Sequence, residues 1–239
     1  MQIGIIGFGR FGRFAAEILK NDFEVYVCDR KKVPRRKGVT VTSFEEVARK
    51  PFLLLCVPIS EIQSVCRKLR PLLKKGQLVL DTCSVKERPL AIMTQLLPRS
   101  VEILGTHPLF GPDSARPGIK GLRIVLCQSR CKNIGKVKKY LGQLGLKVIL
   151  TTAERHDREM ANSQALFHFL ARGVAAMRIK LGPLSTPGPS RLFNEFKDVQ
   201  NDSRQLFQDL HKMNRFARGV RKKLIENLTR IDAGLLQEY

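Results

Sequence analysis

Gln2-Ile3-Gly4-Ile5-Ile6-Gly7-Phe8-Gly9-Arg10-Phe11-Gly12 is the stretch that decides the fold. The apolar run Gln2–Ile6 has the length and composition of a strand buried in a parallel sheet. It runs straight into G-x-G-x-x-G, and the amphipathic stretch Phe11–Lys20 follows as a helix. Gly7 permits the tight turn between the two, Gly9 lets a phosphate approach the backbone, and Gly12 lets helix and strand pack closely. The N–H groups and positive dipole end of the helix then face an anion. In this strand–turn–helix context the motif is a dinucleotide-binding fingerprint.

Working outward, Asp29 ends the next apolar run, 17 residues beyond Gly12. Its carboxylate can accept hydrogen bonds from the adenosine ribose, which favours NAD. The stretch Arg30–Lys37 holds six basic residues in eight and could grip a ribose 2′-phosphate, so NADP is also possible. Val57-Pro58 closes a third apolar run, at the sheet edge where the nicotinamide half would lie. The expected cofactor-binding set is Gly7, Gly9, Arg10, Phe11, Gly12, Asp29, Arg30, Val57 and Pro58.

Further runs of the same kind are Phe23–Cys28, Phe52–Val57, Gln77–Asp81, Val101–Leu104, Leu122–Cys127 and Leu146–Leu150. Helical signals lie between them, with capping boxes at Ser43-x-x-Glu46 and Ser60-x-x-Gln63. This alternation predicts an α/β fold over residues 1–150: a Rossmann-type, doubly wound, mostly parallel sheet with its strands covered on both faces. After Leu150 the pattern turns helical. Thr151-x-x-Glu154 caps a helix to about Leu181, and Gly182–Pro189 is dense in helix breakers. Residues 151–239 are therefore expected to form a small all-helical domain for substrate binding and dimerisation. The apolar faces of Leu206–Leu210 and Leu224–Leu228 suggest a homodimer.

The chain has 239 residues, with 43 basic and 21 acidic side chains giving a net charge of +22. Such a charge attracts anions, either a small polyanionic substrate or nucleic acid. A nucleic-acid module would use Arg30–Lys37 with Arg215, Arg218, Arg221, Lys222 and Lys223. Aromatics are only 7% and Trp is absent, so stacking platforms are scarce and specific nucleic-acid binding is not expected. The six cysteines lack a usual metal spacing, and several sit in apolar runs, so reduced thiols and no metal are expected. No apolar run nears the roughly 18 residues a membrane span needs, and Met1–Gly7 does not look like a signal peptide. A cytoplasmic protein is the expectation.

Two later segments carry chemistry: Asp81-Thr82-Cys83-Ser84-Val85-Lys86 and Gly105-Thr106-His107-Pro108-Leu109-Phe110-Gly111-Pro112-Asp113-Ser114. Both follow strand ends on the edge where open α/β sheets bind ligands. A histidine there, near a hydroxyl, can take an alcohol proton while hydride leaves for a nicotinamide. Together with the helix His156–Phe169, these segments resemble the prephenate and arogenate dehydrogenases of tyrosine biosynthesis, in motif order and over nearly the whole chain.

The resemblance implies NAD(P)-dependent oxidative decarboxylation of prephenate to 4-hydroxyphenylpyruvate, or of arogenate to tyrosine. It implies that His107 is the catalytic histidine on the ring C4 hydroxyl and that Ser84 bonds the same hydroxyl. His168 and Gln164 would line the substrate pocket, and Arg191 would clamp the ring carboxylate, for which a planar guanidinium is suited. Asp113 could pair with an arogenate amine. A dehydrogenase of the same architecture acting on another hydroxy acid is a further reading, against which His107 and Ser84 argue.

Overall fold

The computed structural model describes residues 1–236, and two compact units divide the chain, Met1–His156 and Asp157–Tyr239. The first unit is built on one eight-stranded sheet of order β3-β2-β1-β4-β5-β6-β7-β8. Its strands are β1 (Gln2–Ile6), β2 (Glu24–Cys28), β3 (Val39–Val41), β4 (Phe52–Leu55), β5 (Leu78–Asp81), β6 (Glu102–Pro108), β7 (Arg123–Arg130) and β8 (Lys147–Thr151). All neighbouring pairs are parallel except β6–β7. The order reverses at β1, which feeds β2 on one side and pairs with β4 on the other. That is the switch point where such sheets bind ligands.

Helix α1 (Arg10–Leu19) packs on Ile3, Ile5, Val25 and Val27 through Ala16. Alternate residues of β1 serve the other face: a Cβ on Gly4 would lie 2.7 Å from the Val47 carbonyl of α2 (Phe44–Ala48). α3 (Ile62–Leu69) and α4 (Glu87–Leu96) join the unit next, and α5 (Ile134–Gln143) links β7 to β8. Leu53, Leu55, Val79 and Ile103 are wholly buried.

The expectation that every strand is covered on both faces is corrected in part. Between α1 and α5 an apolar trough of about 450 Å³ is lined by Phe11, Phe14, Ile18, Leu54, Leu80 and Tyr140. Leu54 and Leu80 are only half-buried there.

Local capping follows the sequence at one of three sites. Ser43 caps α2, its Oγ accepting from the Glu46 N–H at 3.1 Å. Ser60 does not cap α3; a 3-10 turn (Ile59–Glu61) intervenes, Glu61 holds the cap position, and no side chain bonds there. Thr151 ends β8, and the helix α6 (Ala153–Met160) is capped one residue later, by Thr152 accepting from Arg155 N–H.

α6 runs on into a π-helical turn (Ala161–Ala165) and then α7 (Leu166–Ala176). The helix expected to reach Leu181 thus stops five residues sooner, at a C-cap followed by Arg178 with φ of 56°. α8 (Pro187–Gln200), α9 (Arg204–Lys212) and α10 (Ala217–Leu235) complete the second unit. Its core clusters join Ala171 to Phe196 and Val199, and Ala161 and Ala165 to Ala217. The Leu206–Leu210 face expected to dimerise is spent inside this unit, with Leu210 wholly buried.

Candidate active site

β1 ends in Gly7, whose φ of +96° no L side chain adopts readily. A Cβ there would lie 2.4 Å from the Cys56 carbonyl oxygen, and one on Gly12 would lie 2.1 Å from the Gly7 oxygen. Both glycines are therefore required for α1 to start against the strand ends. Gly9 differs: a Cβ on it meets no atom within 4 Å. Gly9 is also the N-cap of α1, with no side-chain cap and no acidic residue in the first turn, so the positive helix end is left for an anion.

Asp29 closes the loop from the β2 side, its Oδ2 accepting from Phe8 N–H at 2.6 Å and its Oδ1 from Lys31 N–H at 2.8 Å. Arg30 is exposed and pairs with Glu61 at 3.2 Å. Val57 and Pro58 follow β4 and lead into the 3-10 turn. Open space at Gly9, beside two positions that admit only glycine, is a cradle of the kind a dinucleotide pyrophosphate needs.

The chemistry-bearing segments leave β5 and β6 side by side, with Asp81 in register with Gly105. Asp81 and Lys86 are both fully buried and form an ion pair. Lys86 Nζ also donates to the Thr106 carbonyl at 2.6 Å, Asp81 Oδ2 accepts from Cys83 N–H at 3.0 Å, and Thr106 Oγ1 donates to the Asp81 carbonyl at 2.5 Å. This network shapes the loop that carries half-buried Ser84 and ties it to β6 next to His107.

His107 is 3% exposed, and its Nδ1 lies 2.8 Å from Nε2 of His156, on α6 at the end of the same unit. Burial first, then His156 and the Lys86 charge, hold the His107 pKa well below the usual histidine value. His107 is thus a neutral imidazole. Phe11 is half-buried and its ring meets Phe14, which in turn meets Phe110 of the His107 loop. Asp113 is held by Arg10 at 2.5 Å and Arg116 at 2.9 Å. Its carboxylate, with its pKa lowered by Arg10 first, ties the glycine loop to the His107 loop.

In the second unit Gln164 lies in the π-helical turn and His168 one turn on, in α7. His168 Nε2 is 3.7 Å from Asp202. Burial, then Arg172, brings the His168 pKa down to about 4. Among the described residues, Gln164 Oε1, His168 Nδ1, Arg172 Nε and His211 Nε2 are buried without a hydrogen-bond partner. Four orphaned polar atoms in so small a unit are what a polar ligand could satisfy. Arg191 is exposed, one turn into α8, with no ion-pair partner among the described residues.

Sequence reasoning assigned no role to His156, Lys86, Arg172 or His211. Lys86 sits in the quoted S-V-K segment, but a lysine there reads as solvated until burial is known. His156 opens the quoted helix, yet nothing in the sequence says which strand it meets. Burial pushes the Cys28, Cys56 and Cys66 thiols up to about 12.

Comparison with known proteins gives a consistent result. Residues 15–159 match the family model "prephenate dehydrogenase, nucleotide-binding domain", and residues 174–239 match "TYRAAT1-like, C-terminal domain". Arogenate dehydrogenase 1 of Arabidopsis thaliana is 29% identical over 97% of this chain, which spans 38% of that protein. A probable arogenate/prephenate dehydrogenase of Methanocaldococcus jannaschii is 33% identical over 71% of the chain and 40% of its own length. The chain thus spans well under half of these two relatives. In fold, prephenate dehydrogenase from A. aeolicus, solved with hydroxyphenyl propionate and NAD+, has a TM-score of 0.76 at 19% identity. The match covers 100% of this chain and 92% of that one.

Proposed function

The chain belongs to the prephenate dehydrogenase family, and from that premise we propose that it oxidatively decarboxylates prephenate to 4-hydroxyphenylpyruvate with NAD or NADP. The observation that carries the reading is the neutral, buried His107 on the strand end beside the glycine cradle. Gly7, Gly9, Arg10, Phe11, Gly12, Asp29, Arg30, Val57 and Pro58 hold the cofactor. When bound, its nicotinamide accepts hydride from the substrate carbon.

The protein's own work is proton handling and alignment. His107 draws on the C4 hydroxyl proton through Nε2 as that carbon is oxidised, and returns it to the phenol oxygen once the ring carboxylate has left as CO2. Ser84, carried by the loop that the Asp81–Lys86 pair fixes, bonds the same oxygen. His168 and Gln164, each with a buried polar atom that has no partner among the described residues, contact the substrate, and the exposed Arg191, with no ion-pair partner among those residues, takes a carboxylate. Asp113 is engaged by two arginines, so its part is to fix the His107 loop rather than to choose between a keto acid and an amine.

Arogenate is the second reading, favoured by the Arabidopsis relative that matches 97% of the chain. Absorbance at 340 nm, with prephenate and arogenate each against NAD and NADP, decides among the four combinations. Silence in all four, from folded protein that binds cofactor, overturns the reading.

The enzyme is proposed to work as a cytoplasmic homodimer. No described helix is long and apolar enough to cross a membrane, and the thiols of Cys28, Cys56, Cys66, Cys83 and Cys131, which form no disulfide, suit a reducing compartment. On α10, Ile225, Leu228, Ile231 and Leu235 are each more than half exposed at helical spacing, a face suited to a second copy. A monomer by light scattering at micromolar concentration would remove the dimer from the proposal.

A further inference from the structure

The contact between His107 Nδ1 and His156 Nε2, at 2.8 Å between two buried rings, has two possible directions. Each neutral imidazole has one donor and one acceptor nitrogen, so the bond fixes both tautomers at once. If His156 donates, His107 keeps its proton on Nε2 and presents a donor to the site. If His107 donates, Nε2 carries a lone pair and can act as a base. We propose that His156 is the positioning residue for His107, accepting its Nδ1 proton so that Nε2 is held as the free base, an inference that rests on the dehydrogenase reading above.

A base at Nε2 needs the ring proton on Nδ1, which sets that direction, and two observations hold the pair in place. The rings meet at 73° with centroids 5.1 Å apart, an edge-on approach that suits one nitrogen facing another. And His107 is fixed from two sides, since its strand is tied through Thr106 to Lys86 while its ring is tied to α6. The arrangement matches the logic by which a triad's third member sets the histidine tautomer, with imidazole in place of carboxylate.

The chain has four histidines, His107, His156, His168 and His211, so nitrogen NMR of the full-length protein labelled in histidine can resolve each ring. At neutral pH His107 is expected to show a protonated Nδ1 and an unprotonated Nε2, assigned with His107→Asn. Kinetically, His156→Leu should lower kcat by about a hundredfold, the low end of what a correctly poised base contributes. KM and cofactor affinity should stay within about threefold. In His156→Gln the side-chain oxygen lies two bonds from Cγ, as Nε2 does, and should recover about tenfold of the loss, which a packing role alone does not explain.

A protonated Nε2 on His107 overturns the proposal. So does a Leu variant with kcat within threefold of the natural protein, or a Gln variant that binds cofactor yet is no faster than Leu. If His156→Leu does not fold, the Gln variant and the spectrum of the unaltered protein decide. If the unaltered protein turns over neither substrate, the dehydrogenase reading fails, while the NMR result still tells which ring donates.

Discussion

Lys86→Met is expected to destabilise the first unit by about 4 kcal/mol. The lysine and Asp81 are both 0% exposed in their side chains, and Lys86 Nζ also serves the Thr106 carbonyl. Methionine fills similar volume but leaves the carboxylate buried without its counter-charge. Breaking a buried pair in this way costs about 3–5 kcal/mol. A second route to the magnitude agrees: neutralising an ordinary carboxylic acid of pKa near 3.9 at pH 7 costs about 4 kcal/mol.

For a unit of this size each kcal/mol moves Tm by about 2–4 °C, so a fall of roughly 8–16 °C should appear in thermal melts followed by circular dichroism. Urea titration should show the same loss with an unchanged m value. The double variant Asp81→Asn with Lys86→Met should recover part of it, because no unpaired charge remains. A Lys86→Met protein within about 1 kcal/mol of the natural one would refute the reasoning. It would mean that water reaches the pair, and that the Ser84 loop is held by something other than this ion pair.

Stability should fall with acid through the second unit. Burial, followed by Arg172 for His168 and by Arg221 for His211, brings both pKa values down to about 4. The unfolded chain takes up protons near pH 6.5 while the folded unit does not, so stability is full above that value and is lost as pH drops from 6.5 toward 4. Two protons give a limiting slope of about 2.7 kcal/mol per pH unit, and urea titrations showing no loss between pH 6.5 and 5 would contradict it. The glycines separate folding from binding. Gly9→Ala meets nothing within 4 Å, so its Tm should stay within about 2 °C of the natural protein while NAD affinity falls at least roughly tenfold. Gly12→Ala, 2.1 Å from the Gly7 oxygen, should lose both, and calorimetry with melting curves tests the pair together.

The sequence is legible where a residue type has one physical use. Gly7 and Gly12 are read correctly because only glycine fits their turn and close approach. β1 is read to the residue because its apolar run ends on that turn. β3 escapes because Val39–Val41 is three residues long, with two of them exposed. Ser60 and Thr151 mislead because a capping tetrad specifies a local bond, whereas a 3-10 turn and the end of β8 decide where each helix starts. The continuous apolar runs of β4 and β5 say that both faces suit burial, not what covers them, and the trough along Leu54 and Leu80 lies in that gap. His156 is illegible for a related reason. Its partner is 49 residues away on another element, and a lone histidine carries no mark of the strand it will meet.

Placing an imidazole rather than a carboxylate behind His107 matters for the proposed chemistry. Substrate and product both keep a hydrogen on the oxygen that His107 contacts, as cyclohexadienol and then as phenol. The base must therefore take the proton during oxidation and give it back after CO2 leaves. A buried carboxylate behind the ring would stabilise the imidazolium and favour keeping the proton. An imidazole supplies no such negative charge, and the Lys86 charge adds to the penalty, which is the direction in which the His107 pKa is moved. Loss of hydride makes the hydroxyl strongly acidic, and a weak base is sufficient at that moment. The same weakness returns the proton once the ring is aromatic. Replacing His156 with a carboxylate that reaches His107 should therefore raise the His107 pKa and slow the second half of the reaction, with proton return in place of oxidation as the slow step. A His156→Glu protein with an unchanged solvent isotope effect on kcat would count against that account.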